Sequence, residues 1–248
     1  MELIRSVQRA CGLLDAFTAD GPRLTLAELA DRVELPKPTV YRLAVTLIDT
    51  GFMTQHADGR YGLGLQVMNI GSIARADLGL VEVCAPVMER LAERTGETVL
   101  LGLADWGTLE ITIVHRIDSS HELSVVSRVG RRSALALGAL GKALLLGVDP
   151  AELAAIVLRI DLTPHTERTI SDRAELMAEI ARGRELGYAT DSGEFLVSVS
   201  AVAAPITLGG ARPIAAVAVV GPSSRLDQRL GLVGGWVRDE LAHLAGDN

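Results

Sequence analysis

Between residues 25 and 63 the spacing of apolar positions predicts helix, turn, helix and hairpin, in that order. Leu26, Leu29, Ala30 and Val33 recur at helical spacing, and Thr25 with Glu28 has the spacing of a reciprocal N-terminal cap. The short link Glu34-Leu35-Pro36-Lys37 forces a sharp angle into a second helix. On that helix Val40, Leu43, Ala44, Leu47 and Ile48 form one apolar stripe. At about 100° per residue, Arg42 falls nearly opposite the stripe, with Thr39 and Thr46 beside it. Pro38 is tolerated in the first turn, where its missing N–H has no partner to lose, and Gly51 is the expected stop. Phe52-Met53-Thr54-Gln55 and Arg60-Tyr61-Gly62-Leu63 then flank Asp58-Gly59, a strong hairpin-turn signal, with His56 and Arg60 near the tip. This is the order of a winged helix-turn-helix. The competing reading is a small helical bundle with solvated charges, which leaves the hairpin unexplained.

The flanking pattern extends the picture. Val7, Ala10, Cys11, Leu14 and Phe17 predict a first helix with Cys11 in its core stripe. Residues 64–95 are expected to be helical throughout, with Pro86 in the first turn of a new helix and Gly96 as its cap. Leu65, Met68, Ile70, Ile73 and Leu78 cover more of that helix than one partner needs, which favours a dimer contact over a simple inter-domain helix. Beyond residue 98 the period shortens. Strands are expected at 98–104, 109–116 and 123–129, then helices at 138–146, 150–159 and 171–186, the last capped by Ser171 and Asp172. Strands at 198–207 and 211–220 and a closing helix from 226 to about 245 follow. Strands and helices are segregated, so the expected class is α+β with a largely antiparallel sheet. The implied organisation is a winged domain over 1–64, a linker helix over 65–79 and a second α+β domain over 80–248.

Charge and composition narrow the chemistry. The net charge is −7, and residues 1–62 hold seven Arg/Lys against eight Asp/Glu, so any basic footprint on the winged domain is local. No run approaches the length of a membrane span, and the N-terminus has no signal-peptide core; a cytoplasmic protein is expected. Cys84, like Cys11, is expected to be a core residue, and neither the two cysteines nor the five histidines have metal-ligand spacing. Gly138-Ala139-Leu140-Gly141-Lys142-Ala143 departs from a phosphate loop: Ala136 stands where a glycine is required, and Ala143 where a magnesium-binding hydroxyl is required. Its glycines imply instead a close backbone approach, to a ligand or to the sheet, at a helix N-terminus. Asp191 and Glu194 could be an acid/base pair, ligand contacts or caps. The last two are favoured, because no nucleophile, metal cluster or cofactor motif accompanies them.

Taken in order, several segments resemble those of the IclR-type bacterial transcription regulators, over nearly the whole chain. Leu35-Pro36-Lys37-Pro38-Thr39-Val40-Tyr41-Arg42-Leu43 is similar to that family's recognition helix, and Tyr61-Gly62-Leu63-Gly64 to its wing exit. Leu140-Gly141-Lys142-Ala143-Leu144-Leu145, Gly187-Tyr188-Ala189-Thr190-Asp191, Ala203-Ala204-Pro205-Ile206 and Gly221-Pro222-Ser223-Ser224-Arg225 are similar to landmarks of its effector domain. The resemblance implies a homodimer or dimer of dimers on a palindromic or near-palindromic DNA operator, governed by a small-molecule effector, with no cofactor and no catalysis. It implies Thr39, Tyr41, Arg42 and Thr46 toward the major groove, and Lys37 and Arg60 on phosphate. It implies effector contacts at Ala136, Gly138, Ala139, Leu140, Asp191, Ala201, Ala218 and Val220. Several of these positions are polar in family members that take small oxo-acids. Here the expected wall is apolar with Asp191 as its one retained polar group, which suits a neutral hydrophobic or aromatic effector. The alternative is an enzyme using Asp191 or Glu194 as acid/base.

Overall fold

The structure, a computed structural model, describes residues 3–18, 21–125, 127–207 and 212–244, with residues 75–78 described by backbone alone. Its contacts divide into two units, Met1–Gly79 and Leu80–Asn248.

The first unit contains α1 (Arg5–Asp15), α2 (Leu26–Arg32), α3 (Lys37–Asp49), β1 (Met53–Gln55), β2 (Tyr61–Leu63) and α4 (Leu65–Leu78). Thr25 caps α2 reciprocally: the Glu28 N–H donates to Thr25 Oγ1 at 3.2 Å, and the Thr25 N–H donates to Glu28 Oε2 at 2.7 Å. These bonds hold the Glu28 carboxyl below its usual range. Thr25→Ala is expected to lower the unit's stability by about 1 kcal/mol, read as a fall in melting temperature. Glu34, at φ 51°, makes the sharp turn into α3. Val40 and Ala44 of α3 are buried with Leu13, Leu29, Met53 and Tyr61, while Leu43, Leu47 and Ile48 pack at the edge of that core. The wing is antiparallel, Met53 opposite Leu63, and Gly59 takes φ 80° in its turn. Leu24 pairs with Tyr61 in two backbone bonds of 2.9 and 2.7 Å, tying the entry to α2 onto the wing. Gly64 is obligatory, since a Cβ there would lie 2.2 Å from the Gly51 carbonyl oxygen.

Two expectations for this unit need correction. Cys11 is exposed; the inward face of α1 is centred on Leu13, so the stripe through Val7 and Cys11 points to its outer flank. The long helix is also not continuous. It breaks at Gly79, φ 56°, and Pro86 lies inside the next helix rather than in its first turn.

The second unit runs α5 (Leu80–Thr95), β3 (Thr98–Asp105), β4 (Glu110–Ile117), β5 (Arg132–Ala134), α6 (Gly138–Leu146), α7 (Pro150–Arg159), α8 (Arg173–Leu186), β6 (Ala189–Ser192), β7 (Val199–Ile206), β8 (Ala215–Pro222), α9 (Ser223–Leu226) and α10 (Leu230–Leu244). The strands form one sheet of order β5-β4-β3-β8-β7-β6, antiparallel at every pairing. Alternation along β8 divides the interior. Ala216, Ala218 and Val220 face a core shared with α6, α7 and α8. Ala215, Val217 and Val219 face a core shared with α5 and α10. Cys84 is buried in the latter, where burial pushes its thiol up to about 11, away from nucleophilic use.

The strand expected at 123–129 does not form among the described residues there. The segment is held by side chains instead of a ladder: Thr98 Oγ1 donates to the Val125 carbonyl at 3.0 Å, Arg116 to Ser127 at 2.9 Å and Arg225 to Leu123 at 2.9 Å. β4 pairs with residues 132–134 instead. The closing helix is interrupted: α9 passes through a 3₁₀ turn, Asp227–Arg229, before α10 begins. Of the last expected strand, the described residues 212–214 are irregular and the ladder begins at Ala215; residues 211 and 245 lie outside the described residues.

Candidate nucleic-acid face and ligand cavity

On α3 the side turned away from the core carries Tyr41, Arg42, Val45 and Thr46, all exposed. Tyr41 shows 53% of its surface and Val45 shows 46%, more than a helix packed on both sides would leave. The Thr46 hydroxyl donates to the Arg42 carbonyl at 3.0 Å, so its oxygen is left to accept from an incoming group. Lys37, in the first turn, is exposed, and Arg60 is exposed beside the wing turn, while Thr39 is half-buried at the margin of the face. Five of the six expected duplex contacts are therefore fully exposed, with Thr39 the most sheltered.

Strand register gathers the second set of expected residues. Asp191 in β6 lies opposite Ala201 in β7, and Ala201 lies opposite Val220 in β8. Ala218 lies opposite Leu100 of β3. The first turn of α6 supplies a facing wall from Gly138, Ala139 and Leu140, and these elements enclose one cavity. Gly138 takes φ 76°, and a Cβ there would come within 3.3 Å of the Asp191 carboxylate. Gly141 serves packing instead, with the Leu135 backbone 2.4 Å from where a Cβ would be. Ala136 is the exception among the expected positions. It is sealed in the core, and Leu137 takes a place on the wall.

The wall is more polar than expected. Ser127, Arg131 and Ser133 line it with Asp191, and Phe195 adds an aromatic ring. The Arg131 guanidinium lies 4.2 Å from the centre of that ring. Arg131 precedes β5 in an irregular stretch where no period assigns an inward face, and Ser127 falls in the expected strand at 123–129, which does not form among the described residues.

Beneath the cavity lies a buried cation. Lys142 of α6 is fully buried, its Nζ 2.6 and 2.7 Å from the two Glu194 carboxylate oxygens and 3.7 Å from Glu179. Burial pushes the Glu194 carboxyl up to about 7 against the pull of Lys142, with the nearby Asp191 and Glu179 carboxylates adding to the rise. Burial likewise raises Asp191, whose Oδ1 accepts the Glu194 N–H at 2.7 Å. Thr169 Oγ1 donates to the Glu194 carbonyl at 2.6 Å, fixing the segment that carries Phe195. Glu194 is thus paired with Lys142 away from the cavity wall, and Asp191 is the carboxylate that lines the cavity.

Comparison with known proteins finds two family domains in the chain. Residues 6–57 match the IclR helix-turn-helix domain, and residues 73–241 match the bacterial transcriptional regulator IclR C-terminal domain. The chain is 32% identical to the HTH-type transcriptional regulator XynR of Escherichia coli, over 92% of this chain and 90% of that protein. It is 28% identical to the HTH-type transcriptional repressor AllR of Escherichia coli, over 95% and 87% respectively. An IclR homologue from Microbacterium hydrocarbonoxydans, solved in complex with 4-hydroxybenzoate, superposes with a TM-score of 0.79 at 25% identity, covering 98% of each chain. No helix among the described residues is long and apolar enough to cross a membrane. The chain therefore belongs to the IclR family of bacterial transcriptional regulators, with a DNA-binding and an effector-binding domain rather than an enzyme's active site.

Proposed function

We propose that the protein is a cytoplasmic repressor that binds a palindromic or near-palindromic operator as a homodimer or dimer of dimers and responds to a small effector with an apolar, ring-like body. The observation that carries the reading is the solvent-facing side of α3, where Tyr41, Arg42 and Thr46 stand clear of a helix whose other side is buried. In this reading Arg42 contacts a base edge, Tyr41, Thr46 and Thr39 line the groove, and Lys37 and Arg60 hold phosphates. Leu65, Met68 and Ile73 of α4 are between 68% and 76% exposed, an apolar surface that suits a second copy of the chain. The effector occupies the cavity bounded by Gly138, Ala139, Leu140, Asp191, Ala201, Ala218 and Val220. Differential affinity of that effector for two arrangements of the protein then shifts operator occupancy.

The test is duplex binding by fluorescence anisotropy, with DNA upstream of the protein's own gene. With Lys37 and Arg60 on each of two protomers neutralising phosphates, the logarithm of affinity is expected to fall with the logarithm of salt at a slope of about −4. Affinity insensitive to salt, with no preference over random duplex, would show that the winged unit docks something other than DNA.

A further inference from the structure

We propose that the second unit carries a further binding site, a surface cleft that holds a free α-amino acid, with Arg168 taking its carboxylate and Asp227 and Ser223 its ammonium. The cleft has a volume of about 500 Å³, within the range of small-molecule sites. It lies between the loop of residues 166–168, the turn after β6 and the start of α9, and it shares no lining residue with the effector cavity. Gly193 lines the cleft, while Asp191 and Phe195, two residues to either side, line the cavity.

The two ends of the cleft have opposite chemistry. At one end Ser200, fully buried, donates to Asp227 Oδ1. The Ser200 proton is thereby committed, so the 2.8 Å bond between Ser200 and Ser223 is donated by Ser223. Ser192 donates to the same Asp227 oxygen at 3.1 Å. What Asp227 and Ser223 have left to offer is acceptors alone: Oδ2, which has no hydrogen-bond partner among the described residues, and the serine lone pairs. An ammonium, with three donors, answers them. At the other end Arg168 lays its stem on the Gly193 backbone, where a Cβ would lie 3.4 Å from its Cδ. One guanidinium nitrogen donates to the Ser192 carbonyl at 3.2 Å, which leaves further donors in a planar fork for a carboxylate. Ser192 thus anchors both charges, the cation by its carbonyl and the anion by its hydroxyl. Yet Arg168 and Asp227 form no ion pair among the described residues. A cation and an anion held close in one cleft without pairing suit a ligand that bears both charges on one α-carbon. Glu167 adds a second carboxylate to the lining, which disfavours a ligand with an acidic side chain.

The test is calorimetric titration of the full-length protein with each protein amino acid, then with the N-acetyl and carboxamide forms of the tightest. At least one amino acid is expected to bind with a Kd of about 1 mM or tighter, and each blocked form about tenfold or more weakly. Aspartate and glutamate are expected among the weakest. Arg168→Gln is expected to abolish the preference for the free acid over its carboxamide, and Arg168→Lys to restore part of it. Asp227→Asn keeps the oxygen that Ser192 and Ser200 bond, and is expected to abolish the preference for the free amine over its N-acetyl form. If its melting temperature shows that this variant does not fold, Ser223→Ala, expected to weaken the same preference, carries the test. No binding by any amino acid, blocked forms that bind as tightly as the free one, or preferences that survive both substitutions would overturn the assignment. So would binding lost in Asp191→Asn but kept in both cleft variants, which would put the ligand in the effector cavity.

Discussion

Arg42→Ala is expected to abolish operator selectivity while leaving the fold unchanged. The side chain is exposed and points away from the stripe that packs Val40 and Ala44 into the core, so truncation disturbs no buried packing. Surface changes of that kind alter stability by less than about 0.5 kcal/mol. A guanidinium bonding a guanine edge through two of its donors contributes about 1–3 kcal/mol of discrimination. A two-fold operator uses the interaction twice, so selectivity should fall by about 30-fold to 10⁴-fold. Anisotropy with operator and scrambled duplexes measures the ratio directly. Lys37→Ala and Arg60→Ala should behave differently, weakening operator and scrambled DNA alike and reducing the salt slope by about 1 for each phosphate left without its cation. An Arg42→Ala protein that keeps its selectivity would reassign base readout, with Tyr41 and Thr46 next in line on the same face.

The contrast between these residues shows which parts of the molecule sequence could reveal. In α3 the period of the apolar stripe determines which residues point outward, and Arg42 emerges on the exposed side for that reason alone. Sheet positions such as Asp191, Ala201 and Val220 lie far apart in the chain, and it is register that sets them side by side. Family likeness located them where periodicity alone had no means to. Arg131 had neither advantage. It precedes β5 in a turn whose backbone is bonded to Arg128 and to Ile113 of β4, where neither alternation nor a helical stripe applies. Lys142 was visible in the glycine-bearing segment at the start of α6, but its partners were not. Glu194 and Glu179 lie 52 and 37 residues further on, and only the packing of α6 against α8 and the turn after β6 brings them within reach. Cys11 went the other way, since a helical stripe marks an apolar face without saying how much of it finds a partner.

Lys142→Met is expected to destabilise the effector domain, and the loss should grow with pH. The substitution keeps most of the volume but leaves the Glu194 carboxylate buried without its cation, and breaking such a pair costs about 3–5 kcal/mol when the remaining charge stays ionised. The sign of the pH dependence follows from Glu194. Its folded carboxyl sits at about 7, above its ordinary 4.5, so the folded state binds protons more readily than the unfolded chain, and stability drains as pH rises through that window. Lys142 is the group that pulls this carboxyl down, and removing it carries the folded value higher still. Between pH 5 and 6 Glu194 can hold its proton in the variant, and the penalty is small. By pH 8 the variant must either ionise a buried carboxylate without a partner or keep a proton the unfolded chain has already lost. Asp191, raised by burial and also drawn down by Lys142, shifts in the same direction. Urea unfolding of parent and variant at pH 5, 6, 7 and 8 isolates the effect as a difference, cancelling carboxyls such as Glu28 and Asp105 that are lowered in both. Adding Glu194→Gln to Lys142→Met should flatten most of the difference. A stability gap constant across that range would mean that Lys142 acts through packing alone, and that Glu194 keeps its ordinary acidity without it.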